Sequence, residues 1–341
     1  MQFSKLNHVD REVYAWSILD GETIFMTGGT GFFGTSLLYS LLQSKSQEKM
    51  NINITILTRD ISSFSSKHPL LYQSDFIHCI QGDVVNFDFP NKKFSKILHL
   101  ATTSANETFN SESQLKKYKT LVDGTERVMQ FAEECGATKV LFTSSGVAYG
   151  GLPEGGVRET YVGAPMTTDP MSALGQGKRS AEFIISYYAK KYDIDYVIAR
   201  CFSFVGPGLP LDIHYAIGNF VMDALTQESV NISGDGSQVR SYLDIRDLVV
   251  WLLTLLAKQN NSEVYNVGSD YEISVKDLAF LVRDIIAPEK PVKIHNNIKN
   301  NTGNFIRNWY VPNIDRAREE FNLSVWTSLD LSIEHMCNKL R

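Results

Sequence analysis

Thr23-Ile24-Phe25-Met26-Thr27-Gly28-Gly29-Thr30-Gly31-Phe32-Phe33-Gly34 decides the fold. A short apolar run of strand type enters a turn with glycine at 28, 31 and 34. That spacing lets the chain turn sharply, brings backbone close to a pyrophosphate and lets the following helix pack tightly on the strand. The anion then rests on the helix's unpaired N–H groups, which makes Gly28, Thr30, Gly31, Phe32, Phe33 and Gly34 the expected dinucleotide contacts. Glycine-rich turns without ligands are common, so context carries the reading. A helical apolar pattern follows (Phe32, Phe33, Leu37, Leu38, Leu41, Leu42), and then a second strand, Ile52-Asn53-Ile54-Thr55-Ile56-Leu57, as a βαβ unit requires.

Outward from this unit, strand-like runs at 23–27, 52–58, 76–80, 96–101, 139–144 and 195–201 alternate with helical patterns near 32–45, 113–135 and 171–192. The alternation predicts an α/β fold, a Rossmann-type doubly wound parallel sheet spanning residues 21–205. After Gly206-Pro207-Gly208-Leu209-Pro210 it breaks down. Helical patterns at 213–227, 244–258 and 274–287, mixed with short strands at 229–233 and 263–267, predict that 206–341 is mainly a smaller α+β substrate-binding lobe, with some chain returning to the first domain. No flexible linker joins the two, so a cleft is expected between them. Lys290–Asn304, polar and rich in Asn, reads as a loop. Residues 1–20 form an extension containing an amphipathic helical pattern, suited to packing on its own sheet or to a subunit contact.

The 341 residues carry 33 Lys and Arg against 38 Asp and Glu, a net charge of -5 without a basic cluster. This balance argues against nucleic-acid binding, and an anionic ligand must be held locally. Cys79, Cys135, Cys201 and Cys337 are scattered, which indicates neither a metal site nor a disulfide framework but buried thiols in a reducing compartment. The longest strongly apolar run, Leu248 to Leu256, falls far short of the roughly 20 residues that span a bilayer. The expectation is a cytoplasmic protein without membrane contact.

Further motifs follow in order: Gly82-Asp83-Val84, His99-Leu100-Ala101-Thr102, Thr143-Ser144-Ser145-Gly146-Val147-Ala148-Tyr149-Gly150, Gly175-Gln176-Gly177-Lys178, Arg200-Cys201-Phe202-Ser203, Gly234-Asp235-Gly236-Ser237-Gln238-Val239-Arg240 and Val264-Tyr265-Asn266-Val267-Gly268. With these in place the chain resembles the extended short-chain dehydrogenase/reductase family of nucleotide-sugar epimerases, dehydratases and reductases. The resemblance runs through nearly the whole chain. It implies a homodimer paired through the helices near 113–135 and 171–192, and a nucleotide-diphosphate sugar as substrate.

The same resemblance implies a catalytic Ser or Thr, Tyr and Lys, with Tyr four residues before Lys. Ser145 and Lys178 match, but Leu174 stands where the tyrosine belongs. Leucine carries no proton, and loss of a positioned acid or base costs about 10²–10⁴ in rate. Three accounts stand open: Tyr149, Ser145 or a water held by Lys178 takes over the proton; Leu174 is an introduced substitution; or the protein binds its cofactor without turnover. Asp83, Val84, Leu100, Ala101, Thr102, Lys178 and Phe202 are implied cofactor contacts. Thr103, Ser145, Ser203, Asn219, Arg240 and Arg307 are implied substrate contacts, with Arg240 suited to a diphosphate.

Gly146 and Val147 occupy the two positions where related dehydratases and decarboxylases carry acid or base groups. Hydride transfer alone is left, as ketoreduction or epimerisation. At the end of the second strand, Thr58 stands where an acidic residue would hold the ribose of NAD, and Arg59 follows it. The pair favours NADP, with NAD as the alternative if Asp60 reaches the ribose. The combined expectation is an NADPH-dependent ketoreductase of a nucleotide-linked keto sugar. An epimerase with retained NAD and an inactive binding protein are the alternatives.

Overall fold

A computed structural model describes residues 7–102, 113–211, 215–258, 262–295 and 308–338. Strands β1 (Thr23–Thr27), β2 (Asn53–Thr58), β3 (Ile77–Gln81), β4 (Lys96–His99), β5 (Lys139–Ser145) and β6 (Asp195–Cys201) build the main sheet. The short strands β7 (Phe204–Val205), β8 (Val230–Ile232), β9 (Val239–Arg240) and β10 (Leu243–Asp244) follow, and β11 (Glu263–Val267) returns to complete seven strands. The order is β11-β6-β5-β4-β1-β2-β3, with every pairing parallel. All carboxyl ends therefore lie along one edge, and chain order reverses between β1 and β4. In such sheets ligands bind at that crevice.

Burial on both faces explains the unbroken apolar runs. One face packs Leu37, Leu41, Trp251 and Leu252 against β1 and β2, while the other packs Phe25, Phe87, Phe94 and Phe131. The Phe25 and Phe131 rings meet edge to face at 4.7 Å between centroids. The N-terminal helix His8–Ser17, capped by Asn7, lies against helices Phe32–Gln47 and Ile245–Lys258. Its fully buried Trp16 donates from Nε1 to Ser40 Oγ at 2.9 Å, so the extension packs onto its own fold.

Chain beyond residue 205 returns to the main sheet at two places. Strand 263–267, grouped by sequence with the smaller lobe, pairs with β6 instead. The Ile245–Lys258 helix, buried on nearly every side, also packs against the main sheet, because a helix apolar all round needs cover that a small lobe does not supply. In the segment read as a polar loop, β13 (Val292–Ile294) pairs with β8, and residues 296–304 lie outside the described residues. The smaller lobe holds helices Ala216–Thr226, Val275–Ile286 and Leu329–Asn338 over a core including Phe220, Val221, Leu278 and Ile333. Its second sheet joins β9 to β12 (Ile273–Ser274) and to β14 (Trp309–Tyr310). No helix among the described residues is long and apolar enough to cross a membrane.

Candidate active site

The glycine turn is built as tightly as its spacing predicts. Gly28 has φ +72°, and a Cβ there would lie 2.6 Å from the Ala101 backbone nitrogen, so the turns after β1 and β4 touch across the switch point. A Cβ on Gly34 would come within 2.4 Å of the Gly28 carbonyl oxygen. Gly31 begins the Phe32–Gln47 helix in extended conformation and supplies no side-chain cap. Thr30 and Gly31 are exposed, leaving the helix's first N–H groups at an open edge where an anion fits. Phe33 contributes backbone here, because its ring turns inward against Phe204, 4.9 Å between centroids.

Below the turn, a fixed chain of donors orients His99. The Thr125 hydroxyl donates to the Leu121 carbonyl at 2.7 Å and accepts from His99 Nε2 at 3.1 Å. Nδ1 is then the acceptor for the Thr27 hydroxyl at 2.8 Å, and Thr27 Oγ1 accepts the Ala101 N–H at 3.1 Å. Burial, assisted by the Lys178 charge, holds the imidazole down at about 3, so it is neutral and structural. Leu100 is buried, Ala101 half-buried and Thr102 exposed beside the turn. After β3, Asp83 accepts the Val85 N–H at 3.0 Å, and Val84 fills the space that Gly124 leaves open, where a Cβ would lie 2.9 Å from Cγ1.

At the end of β2, Thr58 is buried and its Oγ1 accepts the Asp60 N–H at 3.3 Å. Arg59 is exposed. Asp60 caps helix Ile61–Lys67, accepting the Ser63 N–H at 2.8 Å, so this carboxylate already has a structural partner.

Ser145 ends β5 with its Oγ at the carboxyl edge. Lys178, on helix Ala173–Tyr192, is almost fully buried; its Nζ donates to the Thr143 carbonyl at 2.7 Å and lies 4.5 Å from the centre of the Phe142 ring. Burial pulls its ammonium down to about 8, with the neighbouring Cys201 and Glu182 opposing that fall. The lysine expected to contact the cofactor thus points into the sheet.

Tyr149, one of the expected proton sources, has its hydroxyl engaged by Asn266. Its fully buried hydroxyl donates to Asn266 Oδ1 at 2.8 Å, and the Arg200 guanidinium lies 4.5 Å from its ring centre. Asn266 in turn donates from Nδ2 to the Val157 and Asn313 carbonyls at 2.8 and 3.0 Å, so the phenol belongs to a brace that pins two loops to β11. Burial raises its pKa, which further opposes ionisation. The polar residue inside Val264-Tyr265-Asn266-Val267 was the sequence signal for that brace.

Another phenol occupies the place beside Ser145. Tyr310, on β14, puts its hydroxyl oxygen 3.3 Å from Ser145 Oγ and 3.5 Å from the Cys201 carbonyl. Its ring packs on Phe202 at 4.8 Å between centroids, within a cluster that includes Val147 and borders Leu174. Phe202, read as a cofactor contact, is thereby also the platform for Tyr310. In the sequence it lies within Trp309-Tyr310-Val311-Pro312, where nothing local marks it as a site residue.

Of the expected substrate contacts, Arg240 is the ladder partner of Tyr310 across β9 and β14. Partners in a parallel ladder point to the same face, with strands about 4.8 Å apart. Arg240 is half-buried and donates from Nη1 to the Val239 carbonyl at 2.8 Å. Ser203 is half-buried beside β6, and Asn219 is exposed on helix Ala216–Thr226. Thr103 and Arg307 lie outside the described residues.

The strand order, the glycine turn at its reversal and the serine at the same edge define a Rossmann-type fold of the extended short-chain dehydrogenase/reductase kind. Residues 24–268 match the NAD dependent epimerase/dehydratase family, and the chain belongs to it. UDP-glucuronic acid decarboxylase 6 of Arabidopsis thaliana is 28% identical over 277 residues, covering 80% of this chain and 77% of that protein. The UDP-glucuronic acid 4-epimerase of Bacillus cereus, solved with UDP-glucuronic acid and NAD, aligns with a TM-score of 0.79 at 21% identity, covering 93% of this chain and 98% of that one. Epimerase Mth375 from Methanothermobacter thermautotrophicus gives a TM-score of 0.79 at 23% identity, covering 98% and 95%.

Proposed function

We infer that this protein is an enzyme that moves hydride at a ring carbon of a nucleotide-diphosphate sugar, preferring NADP(H) and working as a ketoreductase. The carrying observation is the meeting of the glycine turn and Ser145 at one edge of the sheet, within a family whose relatives act on such sugars. The bound dinucleotide would supply or accept the hydride. The chain's part is to receive the pyrophosphate on the N–H groups of residues 31–34 and to hold the sugar carbonyl oxygen from Ser145. Lys178 lends positive charge near the oxygen as negative charge develops. Arg240, on the neighbouring small sheet, suits the substrate diphosphate.

Gly146 and Val147 restrict the chemistry, since neither side chain exchanges a proton. A decarboxylase or dehydratase needs such a group beyond the hydride step. The preference for NADP rests on Thr58, Arg59 and the capping role of Asp60. A retained-NAD epimerase is the second reading, favoured by the solved epimerase that holds NAD.

Mixing the protein with NADPH or NADH and a panel of UDP-, dTDP-, GDP- and CDP-linked keto sugars tests the proposal through absorbance at the nicotinamide band. Stoichiometric NADPH consumption with one sugar class supports it. Interconversion of a sugar without net loss of cofactor favours the epimerase. A protein that binds both ligands and changes neither contradicts both readings.

A further inference from the structure

Leu174 leaves the active site without the phenol expected four residues before Lys178, and the structure offers a phenol from another part of the chain. We propose that Tyr310 is the catalytic acid and base, donating its proton to the sugar oxygen in reduction and recovering it in oxidation. The assignment rests on the functional reading above.

Four observations carry it. The Tyr310 hydroxyl is 3.3 Å from Ser145 Oγ, so one carbonyl oxygen can sit within hydrogen-bond reach of both. Leu174 borders the same apolar cluster as the Tyr310 ring, so the displaced and replacing side chains share one pocket. Gly146 is shaped for the arrangement: a Cβ there would lie 2.8 Å from the Phe202 ring and 2.9 Å from the Tyr310 hydroxyl. Finally, the β14–β9 register sets Tyr310 beside Arg240, so the group assigned to the diphosphate and the group assigned to the sugar oxygen project from one small sheet.

The other candidates are bonded away from Ser145. Tyr149 donates to Asn266, and Lys178 donates to the Thr143 carbonyl. The Cys201 thiol is pushed up to about 12 by burial, which keeps it protonated and a poor acid.

In the reductive direction, a bound reduced dinucleotide would supply the hydride for the new C–H bond at the carbonyl carbon, and the C=O π pair would move to oxygen. That oxygen takes the Tyr310 proton, and the phenolate is reprotonated from solvent through Ser145. Oxidation runs the same transfers backwards.

The test compares the parent, Tyr310→Phe, and the double variant Leu174→Tyr with Tyr310→Phe. Phenylalanine keeps the ring packing on Phe202 and removes only the hydroxyl. Dinucleotide and nucleotide-diphosphate affinities are titrated separately from turnover. The expected result is Tyr310→Phe affinities within about threefold of the parent, kcat lower by about 10²–10⁴ with little change in KM, and loss of the corresponding limb of the pH–rate profile. The double variant is expected to regain at least about tenfold, because its phenol returns at the position four before Lys178. Turnover of Tyr310→Phe within about threefold of the parent, with the same pH profile, overturns the assignment alone. Absence of dinucleotide binding in the parent overturns the functional reading, and this assignment with it.

Discussion

The hydroxyls of Ser145 and Tyr310 lie 3.3 Å apart although 165 residues separate them in the chain. Gly146 makes that approach possible. Alanine at 146 would drive a methyl group into the Phe202 ring and the Tyr310 hydroxyl, at 2.8 and 2.9 Å. Displacement of a reacting group by about 1 Å costs on the order of 10²-fold in rate. Gly146→Ala should therefore lower kcat by tenfold to a hundredfold, roughly, while dinucleotide affinity stays near that of the parent. Parallel steady-state kinetics and binding titrations check this.

Gly34→Ala addresses the cofactor cradle alone. Its Cβ would fall 2.4 Å from both the Gly28 carbonyl oxygen and the Gly29 Cα, so the helix must move away from the turn. Overpacking of this kind costs about 1–3 kcal/mol. The variant should unfold at lower denaturant concentration and bind dinucleotide at least about tenfold more weakly. Unchanged affinity would show that the pyrophosphate does not rest on this turn.

Cofactor choice is tested at the end of β2. Thr58→Asp places a carboxylate where it can accept ribose hydroxyls and repel a 2′-phosphate. The ratio of NADP to NAD affinity should fall by about tenfold or more. Competition titrations of both dinucleotides against parent and variant give the number.

His8 makes the N-terminal helix pH-sensitive. Burial lowers its pKa, but hydrogen bonds and charges from Asp247 and Glu12 outweigh that and raise it to about 9. The imidazole lies 3.0 Å from each carboxylate. A raised folded-state pKa stabilises fully below the unfolded value near 6.5, and the contribution is lost as pH rises through about 9. Chemical denaturation should find the parent more stable than His8→Ala by about 1–3 kcal/mol at pH 6, with the gap closing by pH 10.

Much of the main sheet is legible in the sequence because its strands are buried on both faces and read as unbroken apolar runs beside turn signals. The glycine turn is equally plain, since φ > 0 at Gly28 and the close approach at Gly34 leave few residue choices. The small sheet is not legible in this way. β9 and β14 hold two residues each, too few for any periodicity, and their register is set by distant parts of the chain. The loss of tyrosine at 174 is visible in the sequence, but the phenol beside Ser145 is not, because nothing local to Tyr310 marks it. Tyr149 is the opposite case. It lies four residues from Ser145, yet the 3₁₀ turn Gly146–Tyr149 carries its ring away from the edge to Asn266.

The central claim is that one edge of the sheet holds a dinucleotide and a nucleotide sugar together. Native mass spectrometry of the purified protein with NADP(H), NAD(H) and the nucleotide-sugar panel tests it most directly. The expected spectrum shows one dinucleotide and one nucleotide sugar bound per chain, with NADP(H) retained in preference to NAD(H). A chain that binds neither dinucleotide, while remaining folded, would contradict the account at its first step.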